Sequence, residues 1–261
     1  MIVGIDFGSS LTKMIFFDKN KIIDKRITNS HTTEYIDLLK EVGLEKIEKI
    51  AICGAGSSYI DNDILGIPTF LADEFTADVK GAQYLSGLTN CMVVSLGTGT
   101  TFLYANEDKI EHAGGSGMGG ALLSALCKMK YDDLSIQGFL DLGNKGDMCK
   151  ADIMIKDIAK DHINDLYADV TAANMGKVDK HTSLEDYAAG VCNLVFQNVG
   201  VMTYLASKGY PTNKAIVLGT MASCAACRKF LDLVGALYNF EFIIPEDSGY
   251  ATALGAVLSV Q

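Results

Sequence analysis

Two short stretches of this chain combine the residue types that bind phosphate. In Gly8-Ser9-Ser10, and again in Gly97-Thr98-Gly99-Thr100, glycines and small hydroxyl side chains follow directly on an apolar run. Glycine lets backbone N–H groups close on an anion, so such a turn can cradle a phosphate. Asp6 ends the first apolar run and could hold a hydrated Mg2+, an ion that takes few carboxylates and keeps its waters. Lys13 adds a cation within reach of the same phosphates. A third stretch, His112-Ala-Gly-Gly-Ser-Gly-Met-Gly-Gly120, leads into the apolar segment Ala121 to Met129. A helix starting there would offer free amides and its positive dipole end to a nucleotide or its phosphates. The acidic pair Asp73-Glu74 comes directly after a short strand, Ile67 to Leu71. Cys224 and Cys227 form one CxxC, with no second pair to complete a zinc site.

The elements that must position these residues repeat. Met1 to Ile5 reads as a buried strand and Met14 to Phe17 as its return, so Gly8-Ser-Ser10 sits at a hairpin tip. Lys21 to Thr28 completes a meander, and Thr32 to Val42 has helical spacing. Met92 to Tyr104 lies over Val3 to Ile15 when Gly97 is placed on Gly8, which predicts a duplicated unit about ninety residues apart. Asp6 corresponds to Ser95 in the second copy, so the two hairpins would share a phosphate chain but not the metal. Phe75 to Leu85 predicts a helix with small residues on one face. Leu134 to Leu142 and Ile153 to Ile158 predict short helices, and Asp169 to Lys177 a turn-rich segment. Ser183 to Ala206 predicts a long helix with a capping box and a broad apolar stripe, enough for core and a dimer face. A strand at Lys214 to Gly219, a helix to Leu237, a strand at Phe240 to Ile244 and a small-residue helix from Ala251 to Val260 complete the chain.

At 261 residues and 49% hydrophobic, the chain can bury a sizeable core. A net charge of −10, with Arg26 and Arg228 its only arginines, argues against nucleic acid or an anionic membrane surface as a partner. No apolar run reaches the roughly 18 residues of a membrane span, and no leader segment is recognisable. Seven scattered cysteines in apolar contexts fit reduced core thiols of a cytoplasmic protein.

Taken together, GIDFGSSLTK, SLGTGTT, GGSGMGG, the late strand–Gly219–Thr220 and the small-residue terminal helix resemble the actin, Hsp70 and sugar-kinase superfamily. Asp73-Glu74-Phe75 after Ile67-Pro68, and Thr171-Ala-Ala-Asn-Met-Gly176, look within it like type II pantothenate kinase. The resemblance runs nearly end to end and implies an α/β fold of two ribonuclease-H-like lobes, residues 1–89 and 90–261, with ATP in the cleft. By it, Gly8, Ser9, Ser10, Leu11, Thr12 and Lys13 would hold the ATP phosphates and Asp6 the Mg2+. Gly97, Thr98, Gly99 and Thr100 would form the facing clamp, and Gly117, Gly119, Gly120 and Thr220 would border the nucleotide. Glu74 would be the general base, with Thr98, His112, Gly114, Ala173 and Asn174 beside the acceptor, pantothenate. The family carries an Arg where this chain has His112, and imidazole is a weaker, pH-dependent grip on a carboxylate than a guanidinium. The resemblance also implies a homodimer. Two other readings stay open: a sugar-type kinase of the same fold, and an ATP-hydrolysing activator protein.

Overall fold

The nearly unbroken apolar run Ile2-Val-Gly-Ile-Asp-Phe7, buried on both faces, sets β1 (Ile2–Phe7) at the centre of a sheet. It pairs antiparallel with β2 (Leu11–Asp18), which turns into β3 (Lys21–Asn29). Lys19 and Asn20 have φ of 47° and 59°, the left-handed pair that a two-residue hairpin turn requires. Helix α1 (Glu34–Val42) then returns the chain so that β4 (Lys49–Cys53) lies parallel to β1, and β5 (Thr69–Leu71) joins β4. The resulting order is β3-β2-β1-β4-β5. This computed structural model describes residues 1–60, 62–160 and 167–261.

After α2 (Glu74–Ser86) the plan repeats. Strands β6 (Cys91–Leu96), β7 (Thr100–Ala105) and β8 (Ile110–Ser116) form the second meander. Then come α3 (Gly120–Lys130), α4 (Ile136–Lys145), the short β9 (Ile153–Met154), α5 (Ile155–Ile158) and β10 (Thr171–Ala173). Helix α6 (Leu184–Ser207), β11 (Lys214–Leu218), α7 (Ala225–Tyr238), β12 (Glu241–Ile243) and α8 (Ala251–Ser259) follow. The second sheet has the order β12-β11-β6-β7-β8, which read from β8 matches the first sheet strand for strand. This is the two-lobe α/β duplication that the glycine hairpins predict. Two local expectations shift. Residues 153–154 pair with β10 as strands, with the helix starting only at Ile155, and the turn-rich 169–177 segment contains β10 itself.

Each sheet is covered on both faces. On the first, α1 packs over Val3, Ile5 and Ile50, and on the second α3, α4, α6 and α7 enclose the largest core around Phe139, Phe196 and Phe230. Between the sheets lie α2 and α8, and they are exchanged. Helix α2, from the first half of the chain, packs Val79 and Ala82 against Val93, Leu103 and Ile216 of the second sheet. Helix α8, from the end, packs Ala253, Leu254 and Val257 against Ile15 and Phe17 of the first. The two helices touch backbone to backbone: a Cβ on Gly81 would meet the Ala251 carbonyl oxygen at 2.0 Å, and one on Gly255 the Ala77 oxygen at 1.7 Å. By length and composition α6 could cross a membrane, yet most of its apolar window is buried in the second core and it carries the buried polar residues Asp186, Asn193 and Thr203.

Candidate active site

The two glycine tips meet. The Ser9 and Thr98 hydroxyls share a hydrogen bond from one hairpin to the other. Each tip is closed by its own backbone, with the Gly8 N–H on the Leu11 oxygen at 3.1 Å and the Gly97 N–H on the Gly99 oxygen at 2.9 Å. The copies differ in length: residues 8–11 lie between the paired Phe7 and Thr12, but only residues 97–99 between Leu96 and Thr100. The strand partner of Ser95 is therefore Thr101, whereas overlaying Gly97 on Gly8 puts Phe102 over Lys13. Ser9, Ser10, Gly97 and Thr98 are exposed at the gap. Thr12 and Thr100 are buried, and the Thr100 hydroxyl donates to the Met118 oxygen at 2.7 Å, bracing the tip from behind.

Asp6 and Lys13 are cross-strand partners, which brings Lys13 Nζ to 3.0 Å from Asp6 Oδ2 at the buried end of β1. Gly54 makes room for this carboxylate. Its φ is 83°, and a Cβ there would lie 2.5 Å from Asp6 Oδ1. Among the described residues no cluster of three or more His, Cys, Asp or Glu side chains forms a metal cage. A single carboxylate facing a phosphate cradle is nevertheless the donor set Mg2+ takes, since it draws its remaining ligands from water and phosphate oxygens. The site fits that ion.

The acidic pair divides its work. Asp73 caps α2, accepting from the Thr76 amide at 2.8 Å and the Thr76 hydroxyl at 2.7 Å. That leaves Glu74, the first residue of the helix, open to the gap. Enough protein surrounds its carboxylate that burial raises its pKa, and the charges of Asp6 and Asp73 add to this while Lys13 opposes it. The same interactions put Glu74 within electrostatic reach of the Asp6–Lys13 pair. Beside it, the Phe75 ring stacks on His112 with centroids 5.1 Å apart and planes 22° from parallel. His112 thus stands next to the residue that follows Glu74, on an edge strand. The expected glycine-rich loop is shorter than its sequence suggests, because Gly114 and Gly115 are paired with β7 inside β8. Its helix start is also occupied. The Gly120 and Ala121 amides donate to the Gly97 and Thr98 carbonyls at 2.8 and 3.1 Å, and a Cβ on Gly119 would meet the same tip at 2.7 Å. These glycines buttress the second hairpin, and Gly117 remains exposed at the bend.

Thr220, exposed after β11, borders a cavity of about 260 Å³ lined by Ser223, Asp247, Ser248, Gly249, Tyr250 and, from the first sheet, Ile27. The Ser248 hydroxyl there is buried without a hydrogen-bond partner, and Lys25 pairs with Asp247 at its edge. Apart from Thr220 these residues are not legible as a site in the sequence; the only signal is a turn before a small-residue helix. Ala173 ends β10 and Asn174 follows it. The Asn174 amide bonds to Gln197 at 3.1 Å and its oxygen accepts from Asn198, while the next amide, of Met175, is held by the buried Asp152 at 2.7 Å. Cys224 caps α7, with its sulfur accepting from the Cys227 amide at 3.3 Å, and holds no metal cluster with its described neighbours.

Comparison with known proteins gives the family and the fold. Over 98% of both chains, the sequence is 28% identical to a protein named type II pantothenate kinase from Oceanobacillus iheyensis. In fold, it superposes on the activator of the 2-hydroxyisocaproyl-CoA dehydratase from Clostridium difficile with bound ADPNP with a TM-score of 0.71, at 16% identity over 99% of this chain and 93% of that one. The ROK hexokinase from Thermus thermophilus gives 0.56 at 13% identity, covering 99% and 97%. Both likenesses fix the two-lobe fold. The family profile named Fumble matches residues 70–259, from just before Glu74 to the end of α8, and the chain belongs to that family.

Proposed function

We propose that the chain transfers the γ-phosphoryl group of ATP to the primary hydroxyl of pantothenate, giving 4′-phosphopantothenate at the start of coenzyme A synthesis. The observation that carries this reading is the meeting of the Ser9 and Thr98 tips with Glu74 in electrostatic reach of Asp6 and Lys13. Phosphoryl transfer needs mainly positioning and charge neutralisation, and the two tips supply donors from opposite sides of one triphosphate. Asp6 would hold Mg2+, which neutralises phosphate charge when bound. Lys13 adds its own positive charge at the same strand end. As the acceptor oxygen bonds to the γ-phosphorus and the bridge to the β-phosphate breaks, Glu74 takes the hydroxyl proton. The cavity at Thr220 and Ser248 receives the nucleoside end. Purified protein with Mg-ATP and a panel of hydroxyl acceptors tests this directly. Pantothenate-dependent ADP release is expected, and a rate that pantothenate leaves unchanged overturns the reading.

Two further results are expected. Asp6→Asn should raise the KM for Mg-ATP about tenfold or more while leaving the fold intact, because a neutral amide is a poor ligand for a hard cation. A Mg2+ titration of the variant rate checks it. His112→Arg should lower the KM for a carboxylate-bearing acceptor roughly tenfold, since a charge-assisted hydrogen bond contributes about 1.5–3 kcal/mol. Steady-state kinetics at pH 8 measure that change.

A homodimer and a cytoplasmic location belong to the same proposal. Leu205 on α6 and Leu233 on α7 are exposed, beside a groove of about 240 Å³ lined by Val201, Gln197 and Leu237. A second copy covering this face would remove that apolar surface from water. Light scattering should give twice the chain mass, and a monomer mass would contradict it.

A further inference from the structure

The two tips share a requirement that their own residues do not meet. A glycine turn offers amides to an anion only while its carbonyls are held to the other side, and glycine by itself adopts either arrangement. In a trans peptide the N–H points opposite the carbonyl of the preceding residue. Whatever captures that carbonyl therefore also aims the amide.

In the second tip α3 does this. The Gly97 and Thr98 carbonyls accept from the Gly120 and Ala121 amides, which turns the Thr98 and Gly99 N–H groups away from that helix. No helix starts at the corresponding place in the first copy, where β3 ends at Asn29 and α1 begins only at Glu34. Ser30 stands there instead, directly after the third strand of its meander, as the start of α3 follows β8. The Ser30 hydroxyl donates to the Gly8 carbonyl at 2.5 Å, and the Ser30 amide donates to the Ser10 carbonyl at 3.1 Å. The second bond carries the sheet one step past its last paired residues, Leu11 and Asn29. Both carbonyls are thus drawn towards β3, and the Ser9 and Leu11 amides turn to the opposite side. The bond that closes the tip, from the Gly8 N–H to the Leu11 oxygen, involves neither of these carbonyls.

We infer that Ser30 is a positioning residue for ATP: by holding the Gly8 and Ser10 carbonyls it presents the Ser9 and Leu11 amides to the phosphate chain, the part that α3 plays for the second tip. This rests on the reading of the tips as phosphate clamps. One copy uses backbone amides at a helix start, and the other a single half-buried serine that contributes its side chain and its amide together. Ser30 does not line the cavity at Thr220, Ser248 and Tyr250 that receives the nucleoside end. Its hydroxyl therefore matters for phosphates and not for the nucleoside.

The test uses the full chain as wild type, Ser30→Ala, Ser30→Thr and Thr32→Ala. The last is a control, because the Thr32 hydroxyl lies in the same turn but donates to the Asn29 carbonyl at 2.9 Å. Titration calorimetry measures the dissociation constants of ADP and of adenosine at one fixed Mg2+ concentration, and scanning calorimetry the melting temperature. Ser30→Ala should bind ADP about three- to tenfold more weakly, the loss of one hydrogen bond, with adenosine affinity within about twofold of wild type. Ser30→Thr keeps the hydroxyl and should restore ADP binding, and Thr32→Ala should leave it unchanged. A hydroxyl serving only to pack the strand end would lower the melting temperature and leave the preference for ADP over adenosine as it is in wild type. The inference is overturned, with the clamp reading intact, if Ser30→Ala binds ADP as tightly as wild type or weakens both ligands by one factor. A Ser30→Thr variant as weak as Ser30→Ala overturns it too. A wild type that binds ADP no more tightly than adenosine removes the clamp reading itself, and this inference with it. Should Ser30→Ala fail to fold, Ser30→Cys, a weaker donor, is held to the same criterion.

Discussion

Glu74→Gln should lower kcat by about 10²–10⁴-fold, the usual range for loss of a general base, while ATP affinity and thermal stability stay near wild type. Gln keeps the shape of Glu74 and cannot accept the proton. Glu74 is exposed at the gap and makes no hydrogen bond that anchors α2; that part belongs to Asp73. Asp73→Ala should therefore cost about 1 kcal/mol of stability by loss of the cap, with a much smaller loss of kcat. The pH dependence follows from the same site. Burial and the charges of Asp6 and Asp73 raise the Glu74 pKa. A base works only when deprotonated, so kcat should fall on the acid side, and that fall should begin at a higher pH than an ordinary Glu would give. In Glu74→Gln this acid limb should vanish along with the rate. Rates of purified variants across pH 5–9, at saturating ATP and acceptor, check both statements.

Gly255→Ala is the second large effect. The added methyl would lie 1.7 Å from the Ala77 carbonyl oxygen, with the Ala77 carbonyl carbon at 2.5 Å, so backbone must move to admit it. Overpacking of this kind costs about 3 kcal/mol at the upper end of the usual range. For a chain of this size that corresponds to a fall in melting temperature of roughly 6–12 °C. Turnover should fall as well, because Ala77 is one helical turn from Glu74 and any parting of α2 from α8 carries the base with it. Gly209→Ala is the control: its nearest neighbour to a new Cβ is at 4.0 Å, and the melting temperature should stay within about 1 °C. Scanning calorimetry of both variants measures the difference.

Much of the site was legible because its signals are local. An apolar run, a glycine and a hydroxyl side chain recur in fixed order, so the two hairpins and the correspondence of Asp6 with Ser95 could be read from one line of sequence. The acids at 73 and 74 were legible as a pair, and cap geometry then separated them. What could not be read depends on partners distant in the chain. The small residues of α2 announce close packing but do not name α8 as the partner, and nothing local says that each helix covers the other half's sheet. Asp78 looks like one acid in a helix until Thr252, from the far end of the chain, arrives at its carboxylate. Ser248 and Tyr250 have no periodic pattern, so the cavity beside Thr220 emerged only when Ile27 closed it from the first sheet. Gly114 and Gly115 read as loop because glycine disfavours strands in isolation, but pairing to β7 overrides that preference. The bonds from Asn174 to Gln197 and Asn198 on α6 likewise join segments that no local pattern pairs.

The exchange of α2 and α8 also governs how the polypeptide acquires its shape as it leaves the ribosome. Synthesis runs from the N-terminus, and segments that form a self-sufficient core can fold as they emerge. Here the first five strands cannot, because the face bearing Ile15 and Phe17 has its cover encoded at 251–259. That face stays wet until nearly the whole message has been translated. Separately expressed fragments split after residue 89 should each be poorly soluble, and co-expression should rescue them by letting each donate the helix the other lacks.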